Sequence, residues 1–385
     1  MMIPQKRLRV YALALFGVGS LMFGYHAWAK QFTVVYNPEL AAVVSKNKNP
    51  PEPKNVDHIA PPKAMKSVYM SSWVAGTPSI REKIVALADT TEVNAVVIDV
   101  KDYSGKISFI TGDAELAKVG SEEERISDLQ AFIDRLHEKD IYVIARITVF
   151  QDPVYAKKYP AEAVQNKNGG LWKDRKGLSY IDPSSQAFWD YIVRISKASE
   201  HIGFDELNFD YIRFPSDGPM ALASYPKSGN DAVKAVKLEA FFKYLDEALK
   251  DVPVPISADL FGLTTSAADD LGIGQVLERT LPYFDYVAPM VYPSHYAAGT
   301  LGYKKPAEHP YEIVKFAMDE GVKKVRAASS SPEKLRPWIQ DFDLGADYGP
   351  AQIRAQIQAT YDAGLTSWMS WDPSNKYTRG GYLPE

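Results

Sequence analysis

The chain has 385 residues, of which 44 are Lys or Arg and 48 are Asp or Glu, a formal charge of −4 that provides no electrostatic basis for binding nucleic acid. A hydrophobic share of 46% with 24% charged residues is that of a packed globular protein. The absence of cysteine excludes a disulfide scaffold, thiolate metal sites, iron–sulfur clusters and cysteine nucleophiles.

Lys6, Arg7 and Arg9 precede an uncharged run from Val10 to Ala29, the two ingredients of an export signal. Ala27-Trp28-Ala29 provides a small-x-small cleavage pattern, while a run of about 20 residues also suffices to span a bilayer. Residues 1–29 are therefore read as a signal peptide or a membrane anchor, and either places the remainder outside the cytoplasm. Residues 30–63 read as a spacer, because Pro50, Pro51, Pro53, Pro61 and Pro62 interleave with Lys, Asn and Asp in a segment too polar to form a core. The folded domain is expected over 64–385.

Beyond the spacer, short β-branched apolar runs alternate with stretches of helical period, the pattern of repeated β-α units and a parallel sheet. Strands are expected over 67–74, 94–100, 141–150, 206–214, 255–261, 286–292, 335–342 and 365–371. Helices are expected over 79–89, 126–139, 186–200, 233–249, 275–281, 310–320 and 351–362. In the second helix Ile126, Leu129, Phe132, Ile133 and Leu136 make one apolar stripe. Eight such units predict a (β/α)8 barrel. A doubly wound sheet is disfavoured because no Gly-rich phosphate loop follows an early strand. The longest insertions, 151–185 and 216–231, fall after the third and fourth strands, where a barrel builds its active face.

Strand residues alternate between the barrel interior and the helices, so polar residues at strand ends can be enumerated. The second strand delivers Asp99 and then Lys101 on one side, with Asp102 just beyond; the third puts Arg146 and Thr148 on one face; the fourth aligns Glu206, Asn208 and Asp210, with Arg213 beyond. The fifth ends on Asp259, the sixth on Tyr292 and His295, the seventh offers Trp338 and Gln340, and the eighth offers Trp371 and Asp372. A carboxylate at the end of a buried strand costs several kcal/mol to desolvate unless it is paired or working. One such residue has ready structural explanations: Asp99 with Arg146 as a buried pair, Glu206 as an ion-pair partner deep in the barrel, Gln340 bonded to a loop carbonyl. Their convergence from nearly every strand points to a site.

Asp210 and Asp259, on neighbouring strands, form the pair that glycosidic cleavage needs: one carboxyl protonates the leaving oxygen, the other attacks the anomeric carbon or activates water. Asp99, Lys101, Asp102, Arg146, Asn208, Arg213, Tyr292, His295, Trp338, Gln340, Trp371 and Asp372 are the expected substrate contacts. The six histidines show no metal-ligand spacing and no G-x-S-x-G elbow occurs, so the reading involves no metal, cofactor or serine nucleophile. A divalent ion held by Asp99, Asp102, Asp210 and Asp259 is the metal-dependent rival.

On Val97 to Asp102, Asn208 to Pro215, Val287 to Tyr296 and Arg336 to Phe342, the chain resembles a family of bacterial glycoside hydrolase-like (β/α)8 barrels, distantly similar to α-amylase-type barrels, over Lys66 to Tyr382. The resemblance implies an exported glycosidase with the nucleophile at Asp210 and the acid on the fifth strand. Two departures stand out: Asn208 replaces the arginine of the amylase pattern, and Asp259 replaces its glutamate acid. Against the chitinase pattern D-x-x-D-x-D-x-E, Asp205, Asn208 and Asp210 follow the spacing in part, but Ile212 stands in the place of the catalytic glutamate. The expected function is hydrolysis of a cell-envelope or extracellular polysaccharide. The alternatives are a catalytically silent barrel that binds glycan or an envelope-assembly partner, and a polysaccharide lyase or deacetylase.

Overall fold

The computed structural model describes residues 57–384, and the apolar N-terminal run and most of the Pro-rich segment lie outside them. Among the described residues no helix is long and apolar enough to cross a membrane. Eight parallel strands close into a barrel in sequence order: β1 (Lys66–Met70), β2 (Ala95–Lys101), β3 (Tyr142–Thr148), β4 (Glu206–Asp210), β5 (Ile256–Phe261), β6 (Tyr286–Met290), β7 (Trp338–Gln340) and β8 (Trp368–Trp371). The helices of the outer layer are α1 (Pro78–Ala88), α2 (Leu129–His137), α3 (Gln186–His201), α4 (Lys234–Leu249), α5 (Leu277–Thr280), α6 (Pro310–Ala327) and α7 (Pro350–Asp362). The architecture is the (β/α)8 barrel expected from the alternation of periods.

Alternation along the strands divides the apolar residues into two layers. Tyr69, Ala95, Val97, Tyr142, Ile144, Ala288 and Met369 fill the barrel interior. Val96, Ile98, Val143, Ala145, Leu207 and Phe209 face outward, against stripes such as Leu129, Phe132, Ile133 and Leu136 on α2. Helix α6 runs past Gly321, where the expected helix stops. Gly321 is buried within the helix, and a Cβ there would meet Leu335 and Thr265 at 3.4 Å, ordinary packing contact, so the glycine neither ends the helix nor is required by its neighbours. The N-terminal floor is closed by a buried Arg336–Glu206 pair at 2.7 Å, with the Tyr142 hydroxyl donating to the same carboxylate. Just before β1, His58 bonds Glu200 at 3.1 Å and the Ile59 N–H donates to Asp205, at this same end.

The two long insertions meet at the opposite, C-terminal face. Gln165–Asn166 pairs antiparallel with Ala223–Ser224, and buried Asp182 accepts from the backbone N–H groups of Lys227 and Ser228. The two loops are thereby joined to each other.

Candidate active site

A cavity of about 370 Å³ opens at the C-terminal ends of the strands. Its polar floor is Arg146, Asp210 and Asp259; its walls include Tyr211, Phe261, Leu263, Met290, Tyr292, Tyr296, Trp338 and Trp371, with Arg213 and His295 at the rim. A mostly apolar wall with a few converging polar groups suits a ligand that has both flat apolar faces and hydroxyls.

The floor is organised by one guanidinium. Register pairs Asp99 with Arg146, Arg146 with Asn208 and Thr148 with Asp210, so inward-facing positions on β2, β3 and β4 lie side by side. Arg146 donates from Nη1 to Asp99 Oδ1 at 2.6 Å and from Nη2 to Asp210 Oδ2, and its Nε lies 3.7 Å from Asp259 Oδ2. Three carboxylates surround one part-buried cation, two of them taking hydrogen bonds from its planar donor fork, an arrangement that a lysine could not reproduce. Asp99 also accepts from the Tyr69 hydroxyl at 2.5 Å, which places it behind Arg146 rather than in the cavity wall.

Asp259 is the more desolvated of the facing pair. Its Oδ1 accepts from Asn208 Nδ2 at 3.0 Å and from the Trp338 indole at 2.8 Å. Burial, followed by the facing Asp210 carboxylate, pushes the Asp259 carboxyl up to about 8, with Arg146, Asn208 and Trp338 opposing. Asn208 also donates to Ser257, so it orients Asp259 and does not line the cavity. The backbone N–H of Tyr211 donates to Asp210 Oδ1 at 2.5 Å, from a residue held at φ 53°. A left-handed, non-glycine residue immediately after a candidate catalytic carboxylate is local strain of the kind found at functional sites.

The aromatic side of the mouth is packed as a unit. Tyr292 and Trp371 stack with centroids 5.4 Å apart and planes 27° from parallel. Phe342 stands edge-on against both, and His295 lies edge-on to Tyr292. Burial pushes the His295 imidazole below its usual range.

Besides Asp99 and Asn208, four further expected contacts lie outside the cavity wall. Lys101 is fully buried on the helix side, 2.6 Å from the Thr148 carbonyl and 3.0 Å from Asp152. A register shift between Asp99 and Lys101 breaks the alternation that would have put both on one face, pairing Lys101 with outward-facing Ile147. Asp102 binds Arg125 at 2.6 Å and the Ser104 N–H at 2.9 Å. Gln340 accepts from the Ser294 N–H and donates to the Phe342 carbonyl, bracing the loops that carry His295 and Phe342. Asp372 accepts from the N–H groups of Ser374 and Lys376. The expected contacts that do line the cavity are Arg146, Arg213, Tyr292, His295, Trp338 and Trp371, together with Asp210 and Asp259. Tyr69 behind the floor and Phe261 and Met290 in the wall also belong to the site, and interior parity is their only signal in the sequence. Among the described residues no group of three His, Asp or Glu side chains is placed to hold a metal ion.

Comparison with known families matches residues 67–377 to DUF4015, described as a putative glycosyl hydrolase domain. Comparison with curated proteins yields no match. Among solved structures, a hypothetical protein from Ruminiclostridium thermocellum is 32% identical, covering 50% of this chain and 96% of that one, with a TM-score of 0.46. The PgaB (BpsB) glycoside hydrolase domain from Bordetella bronchiseptica is 15% identical, covering 83% of this chain and 99% of that one, with a TM-score of 0.58. Alpha-L-fucosidase isoenzyme 2 from Paenibacillus thiaminolyticus is 12% identical, covering 83% and 48%, with a TM-score of 0.53. At 15% and 12% identity the likeness is one of fold.

Proposed function

The chain belongs to the DUF4015 family of putative glycosyl hydrolase domains, and on that premise we propose that it is an exported glycosidase acting on a cell-envelope or extracellular polysaccharide, with Asp259 as general acid and Asp210 as nucleophile or base. The observation that carries the reading is the shared guanidinium: Arg146 binds Asp210 directly and Asp259 only at 3.7 Å, so two facing carboxyls experience different electrostatics. In Asp259, Oδ1 already accepts two N–H bonds, which leaves Oδ2 to carry the proton for the leaving oxygen. Asp210 acts on the anomeric centre, either forming the glycosyl bond or removing a proton from attacking water. Asp99 and Tyr69 hold Arg146 from behind; Tyr292 and Trp371 offer faces to the sugar.

Support for export is the basic and apolar N-terminal pattern from Lys6 to Ala29. The first described contacts, His58 and Ile59, join the barrel at the face opposite the cavity, and an attachment through the preceding segment would suit a mouth directed at polymer.

The test is reducing-end release by the full chain from a panel of polysaccharides: dextran, alginate, soluble peptidoglycan glycan strands and an N-acetylglucosamine polymer. Release that disappears with Asp210→Asn and with Asp259→Asn is the expected result. Release that persists in either variant removes that residue from its role. Binding without release, unaffected by Asp210→Asn, would move the protein to a glycan-binding barrel.

A further inference from the structure

The cavity wall draws on β3 to β8 and on the loops that follow β4, β5 and β6, and on neither β1 nor β2 nor their loops. Its volume is at the small end for a ligand site, so a polymer bound there must leave the cavity over the rim. On the β1 side of that rim stands Trp73, with 60% of its surface exposed. Building on the glycosidase reading, we propose that Trp73 is a distal sugar-binding platform, a subsite for the polysaccharide chain as it leaves the cavity past Trp371.

The ring is mounted, not merely exposed. It belongs to the single-turn helix Ser72–Ala75 that directly follows β1, with Ser71 as its cap and the Thr77 hydroxyl donating to the Trp73 carbonyl at 2.8 Å. One face of the indole lies against Arg125, whose guanidinium carbon is 4.6 Å from the ring centroid. That guanidinium is almost fully buried and is fixed by Asp102 at 2.6 Å, Glu123 at 3.0 Å and Ser72 at 3.0 Å. At Gly76 a Cβ would come within 1.9 Å of the Arg125 carbonyl, so the two loops can approach this closely only with glycine there.

The platform is also tied to the cavity. The Ser71 N–H donates at 2.9 Å to Asn375, which donates to the carbonyl of Asp372, next to cavity-lining Trp371. This assigns work to two residues that do not line the cavity: Asp102 clamps the arginine beneath the ring, and Asp372 holds the turn that joins the ring's helix to the mouth. An aromatic face backed by a fixed cation presents its other face to solvent with little rotamer freedom to lose, which favours stacking on the C–H face of a pyranose over binding a specific charged group. Tyr103, 56% exposed on the neighbouring β2 loop, extends the same rim.

The experiment uses the full chain carrying Asp210→Asn, so that ligand is not consumed, in affinity gels cast with each of the four polysaccharides named above. Competition by disaccharides from the same polymers provides the short-ligand reference. Adding Trp73→Ala is expected to lower the ratio of polymer to disaccharide affinity by about three- to tenfold, the range of one aromatic contact, and Trp73→Phe to recover most of it. Equal polymer retention with and without the indole, or no retention of any polymer, overturns the platform. Polymer hydrolysis with the same KM in the Trp73→Ala single variant would leave the glycosidase standing and remove only the platform. Trp73-dependent retention with no release by the chain bearing Asp210 would remove the glycosidase and keep the platform.

Discussion

The indole N–H of Trp338 donates to Oδ1 of Asp259 at 2.8 Å, between residues 79 apart in sequence and on strands that are not neighbours in the barrel. The bond joins β7 to β5 through the barrel interior. With Asn208 on the same oxygen, it decides which end of the carboxyl faces the cavity as an acid.

The pH dependence of turnover follows from this. Asp259 can donate a proton while protonated, so activity should be present below about pH 8 and fall as pH rises through that value. The Trp338 N–H stabilises the ionised form, so Trp338→Phe should move the alkaline limb of kcat/KM upward. A limb that stays in place or moves down excludes Asp259 as the acid. The same shift acts on stability: native Asp259 keeps a proton that the unfolded chain releases above about pH 4, so its contribution is complete below that pH and is lost as pH rises towards 8. Asp259→Asn should flatten urea-unfolding stability across that window.

Arg146→Lys tests whether the floor depends on the fork or merely on a positive charge. A single ammonium cannot reach Asp99, Asp210 and Asp259 together in the geometry of the guanidinium. The expected result is a drop in kcat of at least about a hundredfold, comparable to losing one preorganised charge-stabilising donor, with the far-UV circular dichroism spectrum retained. A loss of less than tenfold would show that charge alone suffices.

Lys101 and Asp152 are a buried pair on the helix side, so their role is in stability. Lys101→Met strands the Asp152 carboxylate and should destabilise by about 3–5 kcal/mol. Lys101→Met with Asp152→Asn should recover a large part of that in urea unfolding. If Lys101→Met instead raises KM at full stability, the lysine belongs to the site after all.

Tyr69→Phe removes the 2.5 Å hydrogen bond to Asp99 and leaves Oδ2 of a buried carboxylate without that donor. The expected destabilisation is about 1–3 kcal/mol, read from the denaturant midpoint. Because this bond lowers the Asp99 carboxyl against the larger upward push of burial, the variant should raise it further, moving to higher pH the range over which the Asp99 contribution to stability is lost as pH rises. An unchanged midpoint would mean that Asp99 depends on Arg146 alone.

Much of the floor is legible along the chain. The alternation of inward and outward positions is local, set by backbone geometry, and so the parity of Asp99, Arg146, Asn208, Asp210 and Asp259 could be read one strand at a time. The same reasoning failed at Lys101, where one irregularity in the pairing of β2 with β3 turned the side chain outward. It failed again at Asp102, Gln340 and Asp372. Polar side chains at or just past the end of a strand have backbone N–H and carbonyl groups within reach, and bonding them competes with facing a ligand.

By itself the sequence determined the β-α alternation, the barrel and the inward carboxylates, because periodicity and burial act over a few residues. Only the tertiary structure decided that Trp338 would bond Asp259, that Arg146 would sit between three carboxylates, and that Arg125 would lie beneath Trp73. Those contacts depend on how the barrel closes and how its loops pack, and closure brings together residues whose separation along the chain carries no record of their distance in space.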